Sequence, residues 1–360
     1  MRMLTKLLLI LLLCSVCQAA QIIRYVDPDV AVPGDGTSWD TAYASLFAWE
    51  AAEQTDLDAA NNYMTVYCRS SAGTDDTTGC LISGWTTSVD DYIEIIGADF
   101  PSDGVFDDTK YVKAASTDGG NATAITCSTF NVHFINLQIK VTQTSTYSAY
   151  GIVFQTIADT GAGYVDSCII KGVCSGTGAA KGISINDAGW TAYVSNTVIY
   201  DFFIEGDSGF QGISNSIGDV YAYNCTIANC YYGYRREQLY QYGYFYNCAV
   251  FNNTDDFSFP ATVDYCASDD GDGTNAQDFT AEATDWNKVF ENYAIGDFRL
   301  KDYTTSPCCV GVGTDNPGAG LYSDDIAGTA RTSTWDIGAF EYTVGAPPAA
   351  GGQVIMIKEF

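Results

Sequence analysis

The sequence predicts an all-β solenoid, a right-handed parallel β-helix with a capping helix at its N-terminal end. Three observations predict it. One nine-residue phrase recurs along the chain, as "YVSNTVIYD" at 193–201, "YAYNCTIAN" at 221–229 and "YFYNCAVFN" at 244–252. A second, Gly-led phrase runs between its copies: "YGIVF" at 150, "KGISI" at 181, "QGISN" at 211 and "YGYRR" at 232. An Asn stands at the same place in most copies of the first phrase, flanked by apolar residues whose spacing no flat strand allows.

The repeat fixes the coil. Aligned on the residue after the Asn, the copies place Leu137, Cys168, Thr197, Cys225, Cys248 and Cys266 in one column, at spacings of 31, 29, 28, 23 and 18. Constant strands with variable spacing put the insertions in loops, the signature of a solenoid. Three places earlier stand Phe134, Val165, Val194, Ala222, Phe245 and Val263, and two places later Ile139, Ile170, Ile199, Ile227 and Val250. Inward residues of a strand repeat at even spacing, so a step of three followed by a step of two requires a bend between them. The bend holds Asn136, Ser167, Asn196, Asn224 and Asn247. Asn is the non-glycine residue best suited to left-handed backbone, and stacked strands bring such side chains to about 4.8 Å, where amides can bond along the stack. The Cys of the aligned column are then small apolar fillers of the core.

Ahead of the coils, "DTAYASLFAWEAAEQT" predicts the capping helix, with Asp40 as N-cap and Tyr43, Leu46, Phe47 and Ala51 on one face. Residues 1–20 read as a secretory signal: a short basic start, the apolar run "LLLILLL" and small residues near Ala19 and Ala20. The expected organisation is this signal, a single β-helix domain over 21–344, and a tail. The domain includes the cap over about 21–62 and a closing segment over about 297–344. The tail, 345–360, is a Pro/Gly/Ala linker followed by the apolar run "QVIMIKEF". That run suits an added strand or attachment to another protein or copy, and is too short to span a membrane.

Charge narrows the partners. Loss of residues 1–20 removes Arg2 and Lys6 and leaves 14 basic against 44 acidic residues, a net charge of −30. This argues against nucleic acid and anionic membrane as partners. Eleven of the 13 cysteines remain, an odd number, with Cys68 and Cys80 as a candidate disulfide around one loop. The expected setting is outside the cell or on its surface.

Two longer stretches carry a resemblance. "YVDPDVAVPGDGTSWDTAYASLFAWEAA" at 25–52 resembles the opening of a large family of secreted bacterial right-handed parallel β-helix proteins. Residues 297–342 resemble its end: a D-F-x-L strand, an S-P turn, Asp325, Gly328 and Arg331, then "DIGAFEY" at 336–342. The likeness departs at Cys308 and Cys309, where such proteins usually carry a small apolar residue and Ile or Val. Members include adhesin-like surface proteins, and the wider pectin-lyase-like superfamily contains polysaccharide lyases and hydrolases. The resemblance therefore implies the fold, and carbohydrate chemistry as its widest functional reading.

Candidate site residues follow from position. On the outward side of the Gly-led strands, Arg235 and Glu237 are the acid–base pair that a lyase or hydrolase would use. The alternative is a solvated surface pair. His133, the sole histidine, excludes His-based triads and multi-His metal sites. Asp201, Glu205 and Asp207 share a loop without a motif to join them. Asp269, Asp270 and Asp272, with Asn275 and Asp278 nearby, suit calcium, which takes oxygen ligands, though the spacing is not that of an EF-hand. No cofactor is otherwise required. Tyr164, Tyr193, Tyr221 and Tyr244 form an outward column, either cross-strand packing or a surface on which sugar rings lie. The preferred reading is a protein that binds carbohydrate or another surface outside the cell. A polysaccharide lyase or glycoside hydrolase, and a purely structural protein, are the alternatives.

Overall fold

The structure is a computed structural model. It describes residues 19–155, 160–238, 242–259, 262–281, 286–315, 317, 323–332 and 334–343. The signal segment, apart from Ala19 and Ala20, and the tail lie outside the described residues.

The chain winds as a right-handed parallel β-helix with three walls. Sheet I has nine strands, from Ala20–Val26 to Thr262–Asp264. Sheet II has eight, from Val112–Ser116 to Gln277–Asp278. Sheet III has seven, from Cys80–Ile82 to Asp255–Ser258. All pairing within these sheets is parallel, and the register is set by the repeat: Tyr164, Tyr193, Tyr221 and Tyr244 stand opposite one another in sheet I. One coil shows the plan. Ala149–Phe154 lies in sheet III, Gly161–Asp166 in sheet I and Ile169–Cys174 in sheet II, with the hinge between the last two.

The hinge has the chemistry its sequence demands. Asn136, Ser167, Asn196, Asn224 and Asn247 take φ of 54°, 54°, 45°, 53° and 53°, and Tyr265 continues the column at 50°. The inward columns on either side, from Phe134 to Phe245 and from Ile139 to Val250, are fully buried. Asn247 Nδ2 donates to Asn224 Oδ1 at 3.2 Å, whereas Asn196 Nδ2 turns to Asp166 Oδ1 at 3.3 Å. A second left-handed column, Asp201, Asn229 and Asn252, ends the sheet II strands. Asn229 Nδ2 donates to Asp201 Oδ1 at 3.1 Å. It lies four residues beyond the aligned column in each coil.

Cys168, Cys225, Cys248 and Cys266 are free, buried thiols in the core. Cys68 and Cys80 do not form the expected disulfide. Both are free and buried, because each faces the interior from a different wall, Cys68 from sheet I and Cys80 from sheet III. Burial pushes the Cys68, Cys225 and Cys248 thiols well up.

The cap differs in detail from the expectation. The helix is Leu46–Glu53, and its N-cap is Ser45, whose Oγ accepts the Ala48 N–H at 3.1 Å. Asp40 belongs to a preceding 3-10 turn, Trp39–Thr41. The buried residues of the helix are Leu46, Trp49 and Glu50, while Phe47 and Ala51 are exposed. A buried ion pair anchors this end: Lys113 Nζ lies 3.0 Å from Asp76 Oδ1, and Asp76 Oδ2 accepts the Leu46 N–H at 2.8 Å.

The C-terminal segment lies along the coils. Its apolar residues, among them Trp286, Phe290, Phe298, Ile326, Ile337 and Phe340, pack on the outer face of sheet II, on Ile169, Val198, Tyr200, Ala249 and Phe251. It is tied down at the hinge. Arg331 Nη2 donates to Asn196 Oδ1 (3.2 Å), Ala339 N to Thr226 Oγ1 (3.0 Å) and Gly338 N to Asn247 O (2.7 Å). Arg331, its side chain fully buried, also pairs with Glu341 at 3.3 Å.

Candidate functional site

With sheet II roofed, the outer faces of sheets I and III remain. Sheet I carries a continuous stack of rings: Tyr63, Tyr92, His133, Tyr164, Tyr193, Tyr221 and Tyr244. Neighbouring centroids are 4.2–5.3 Å apart, and from His133 onward the planes meet at 9–18°. Near-parallel rings at this distance lie face on face. The faces that a sugar ring would use are therefore spent within the stack, and edges and hydroxyls point to solvent. Burial pulls the His133 imidazole down to about 4, so it is neutral here.

Sheet III is different. Lys181, Gln211, Tyr232 and Asp255 share one register column, and Ser184, Ser214, Arg235 and Ser258 the next. Glu237, just beyond its strand, folds back over these columns. Its Oε1 lies 2.9 Å from Lys181 Nζ and accepts from Gln211 Nε2 (3.3 Å) and Ser214 Oγ (3.2 Å), while Oε2 accepts from Ser216 Oγ at 3.2 Å. Lys181 Nζ also donates to Ser214 Oγ at 2.8 Å. Gln211 and Ser214 form a buried floor, and its Gln211 Oε1 atom has no hydrogen-bond partner among the described residues. Burial pushes the Glu237 carboxyl up, and Lys181, Gln211 and Ser214 outweigh it, so the net displacement is downward. Glu237 is thus held ionised, able to accept hydrogen bonds or a proton but unsuited to the general-acid role of a glycosidase, which needs a raised value.

Arg235 and Glu237 are therefore not partners of each other. Arg235 Nη1 donates to Ser208 O at 3.1 Å and its guanidinium lies 4.7 Å above the Tyr232 ring. The acid that sequence reasoning paired with Arg235 belongs to Lys181, 56 residues away. Extending the column of Gly-led strands through all coils would have found Lys181.

The acidic loop is also rearranged. Asp270 and Asp272 join Asp255, with one carboxylate oxygen of each within 4.8 Å of the others. Asp269 lies apart and accepts the Asn252 N–H. Asn275 donates to Asp264 and Asp278 accepts from the Thr280 N–H. Burial raises the Asp255 and Asp272 carboxyls, and the Asp270 charge raises them further. A divalent cation would relieve that repulsion, and hard oxygen donors suit calcium. Asp201 sits at the second hinge, Asp207 caps the Gly209 N–H at 3.0 Å and Glu205 is exposed. These three do not converge.

Among the described residues no helix is long and apolar enough to cross a membrane. No family model matches the chain, and no curated protein is significantly similar to it. Among solved structures the chain is similar to a crystal structure of the pectate lyase Pel9A, at 15% identity over 90% of this chain and 97% of that one, with a TM-score of 0.35. A likeness of that size carries no argument about activity.

Proposed function

We propose that this is an exported protein, of the secreted bacterial β-helix kind its two ends resemble, which binds carbohydrate outside the cell through the outer face of sheet III. The observation behind this reading is the Lys181–Glu237 pair on its Gln211–Ser214 floor. Three successive coils contribute to one surface network of groups that exchange hydrogen bonds with hydroxyls. Few, well-placed polar groups beside aromatic rings are what sugar recognition asks of a site. Calcium at Asp255, Asp270 and Asp272 is an accessory in this reading, and the apolar tail serves attachment or self-association.

A glycan array with the mature chain tests the role. Glycan binding lost in the Arg235→Ala/Glu237→Ala double variant, with melting unchanged, supports the site. Binding that survives the double variant moves it elsewhere. A lyase is the second reading, favoured by the acidic cluster one coil from Arg235. It requires new ultraviolet absorbance from unsaturated uronates when polygalacturonate and calcium are supplied. Binding without that absorbance excludes lyase action on polygalacturonate.

A further inference from the structure

We infer that Phe203 and Tyr231 form a platform on which one pyranose ring of a neutral glycan stacks, beside Arg235 and Glu237. The inference deepens the proposed carbohydrate-binding role and rests on it. Both residues occupy the connection from sheet II to sheet III, at the same place in successive coils. The Tyr231 N–H donates to Phe202 O at 2.8 Å, and the Thr254 N–H to Cys230 O at 3.3 Å, so the column reads Phe203, Tyr231, Thr254. Phe202 and Cys230, just before them, point inward and are fully buried. These aromatic residues, Phe203 exposed and Tyr231 half-buried against the edge of the core, occur on the two coils whose sheet III strands, Phe210–Asn215 and Tyr232–Arg236, bear Gln211, Ser214 and Arg235. The aromatic departure falls on two of the coils that carry the polar columns of sheet III.

The geometry suits a ligand rather than self-packing. Phe203 is 43% exposed. Its centroid lies 6.5 Å from that of Tyr231 with planes at 21°, wider than any spacing in the sheet I stack, so the pair does not consume its own faces as that stack does. Tyr232 stands across Tyr231 at 72° and carries Arg235 on its ring. Arg235 and Gln211 both donate to Ser208 O, which joins the aromatic strip to the Lys181–Glu237 network. A pyranose offers an apolar face of C–H groups to aromatic rings and equatorial hydroxyls to the polar groups at their edge.

Charge selects a neutral chain. Lys181 is committed to Glu237, and Asp255, Asp270 and Asp272 follow on the next coil. The mature protein is strongly acidic, and a field of one sign repels a ligand of the same sign.

Isothermal titration of the mature chain with cello-, xylo- and manno-oligosaccharides, and with oligogalacturonate, tests this. At least one neutral oligosaccharide should bind. Phe203→Ala and Tyr231→Ala should each weaken it about tenfold, and Phe203→Trp should retain affinity. Tyr193→Phe, in the sheet I stack, should leave affinity unchanged. Tighter binding of oligogalacturonate than of any neutral chain overturns the neutral class while the binding role stands. Unaltered affinity in both alanine variants, with loss in Arg235→Ala, overturns the platform while the sheet III site stands. Absence of binding to every probe overturns both.

Discussion

The outer faces of sheets II and III share one backbone plan and meet opposite fates. Outward positions on sheet II are Ile169, Val198, Tyr200, Ala249 and Phe251, and the C-terminal segment covers them. Outward positions on sheet III are Lys181, Ser184, Gln211, Ser214 and Arg235, of which Lys181, Gln211 and Ser214 bond to Glu237 while Ser184 turns to Asn186 and Arg235 to Ser208 O. The difference teaches that the C-terminal segment is a lengthwise roof, which withdraws one wall from recognition and leaves another available. A β-helix exposes three flat faces, and large apolar ones must be covered. Here the residue types on each face already state which is covered.

The comparison can be broken most forcefully at the roof. Arg331→Ala leaves Glu341 and the Asn196 amide without their buried cation, and removal of one partner of a buried pair typically costs about 3–5 kcal/mol. Urea denaturation should show that loss, and a midpoint within error of wild type would show that the roof does not need its tie. Asn247→Ala tests the hinge beneath. It removes bonds to Asn224 Oδ1 and to Thr314, at 3.2 and 2.8 Å, and a side chain tolerant of left-handed backbone. The expected loss is about 1–3 kcal/mol.

Acid should sharpen the contrast, with a smaller effect. Burial, followed by the Asp336 charge, raises the Glu341 carboxyl to about 6, against an ordinary 4.5. A carboxyl raised on folding binds its proton more tightly in the native state. Its contribution is therefore complete below about 4.5 and is lost as pH rises through 6, by at most about 2 kcal/mol. The roof should melt higher at pH 5 than at pH 7, and Glu341→Gln should flatten that slope. A wild-type slope of opposite sign, unaltered by Glu341→Gln, would locate the dominant titration elsewhere. The smallest effect is on the thiols. Cys225, Cys248 and Cys266 should resist alkylation in the folded chain and react fully in denaturant. Mass spectrometry that finds them bridged to one another would contradict the dry thiol column.

The hinge was legible in the sequence because it repeats. Six aligned copies placed Phe134, Asn136, Leu137 and Ile139 correctly without any knowledge of distant contacts. The polar site was only half legible. Arg235 and Glu237 are neighbours in sequence, so local reading paired them, whereas the partner of Glu237 comes from two coils earlier through loops of unequal length. Asp255 escaped for the same reason, since the loop holding Asp269, Asp270 and Asp272 was read as self-contained. The roof was legible as a closing segment over an apolar face, but its tie was not: the bond between Arg331 and Asn196 spans 135 residues. The disulfide expectation for Cys68 and Cys80 failed because loop closure in sequence says nothing about which wall a side chain faces.

The ties at Asn196, Thr226 and Asn247 bear on how the molecule comes apart. A solenoid touches only its neighbours, so its coils can fray one at a time from an end, like a stack of independent plates. One segment fastened to three successive coils links those plates in parallel. The coils from Asn196 to Asn247 then have to open together or wait until the fastening lets go. Under a pulling force applied at Tyr342, the load reaches Ala339 and Gly338 and then Arg331, and extension should begin with the abrupt release of these ties, followed by a series of smaller, regular steps.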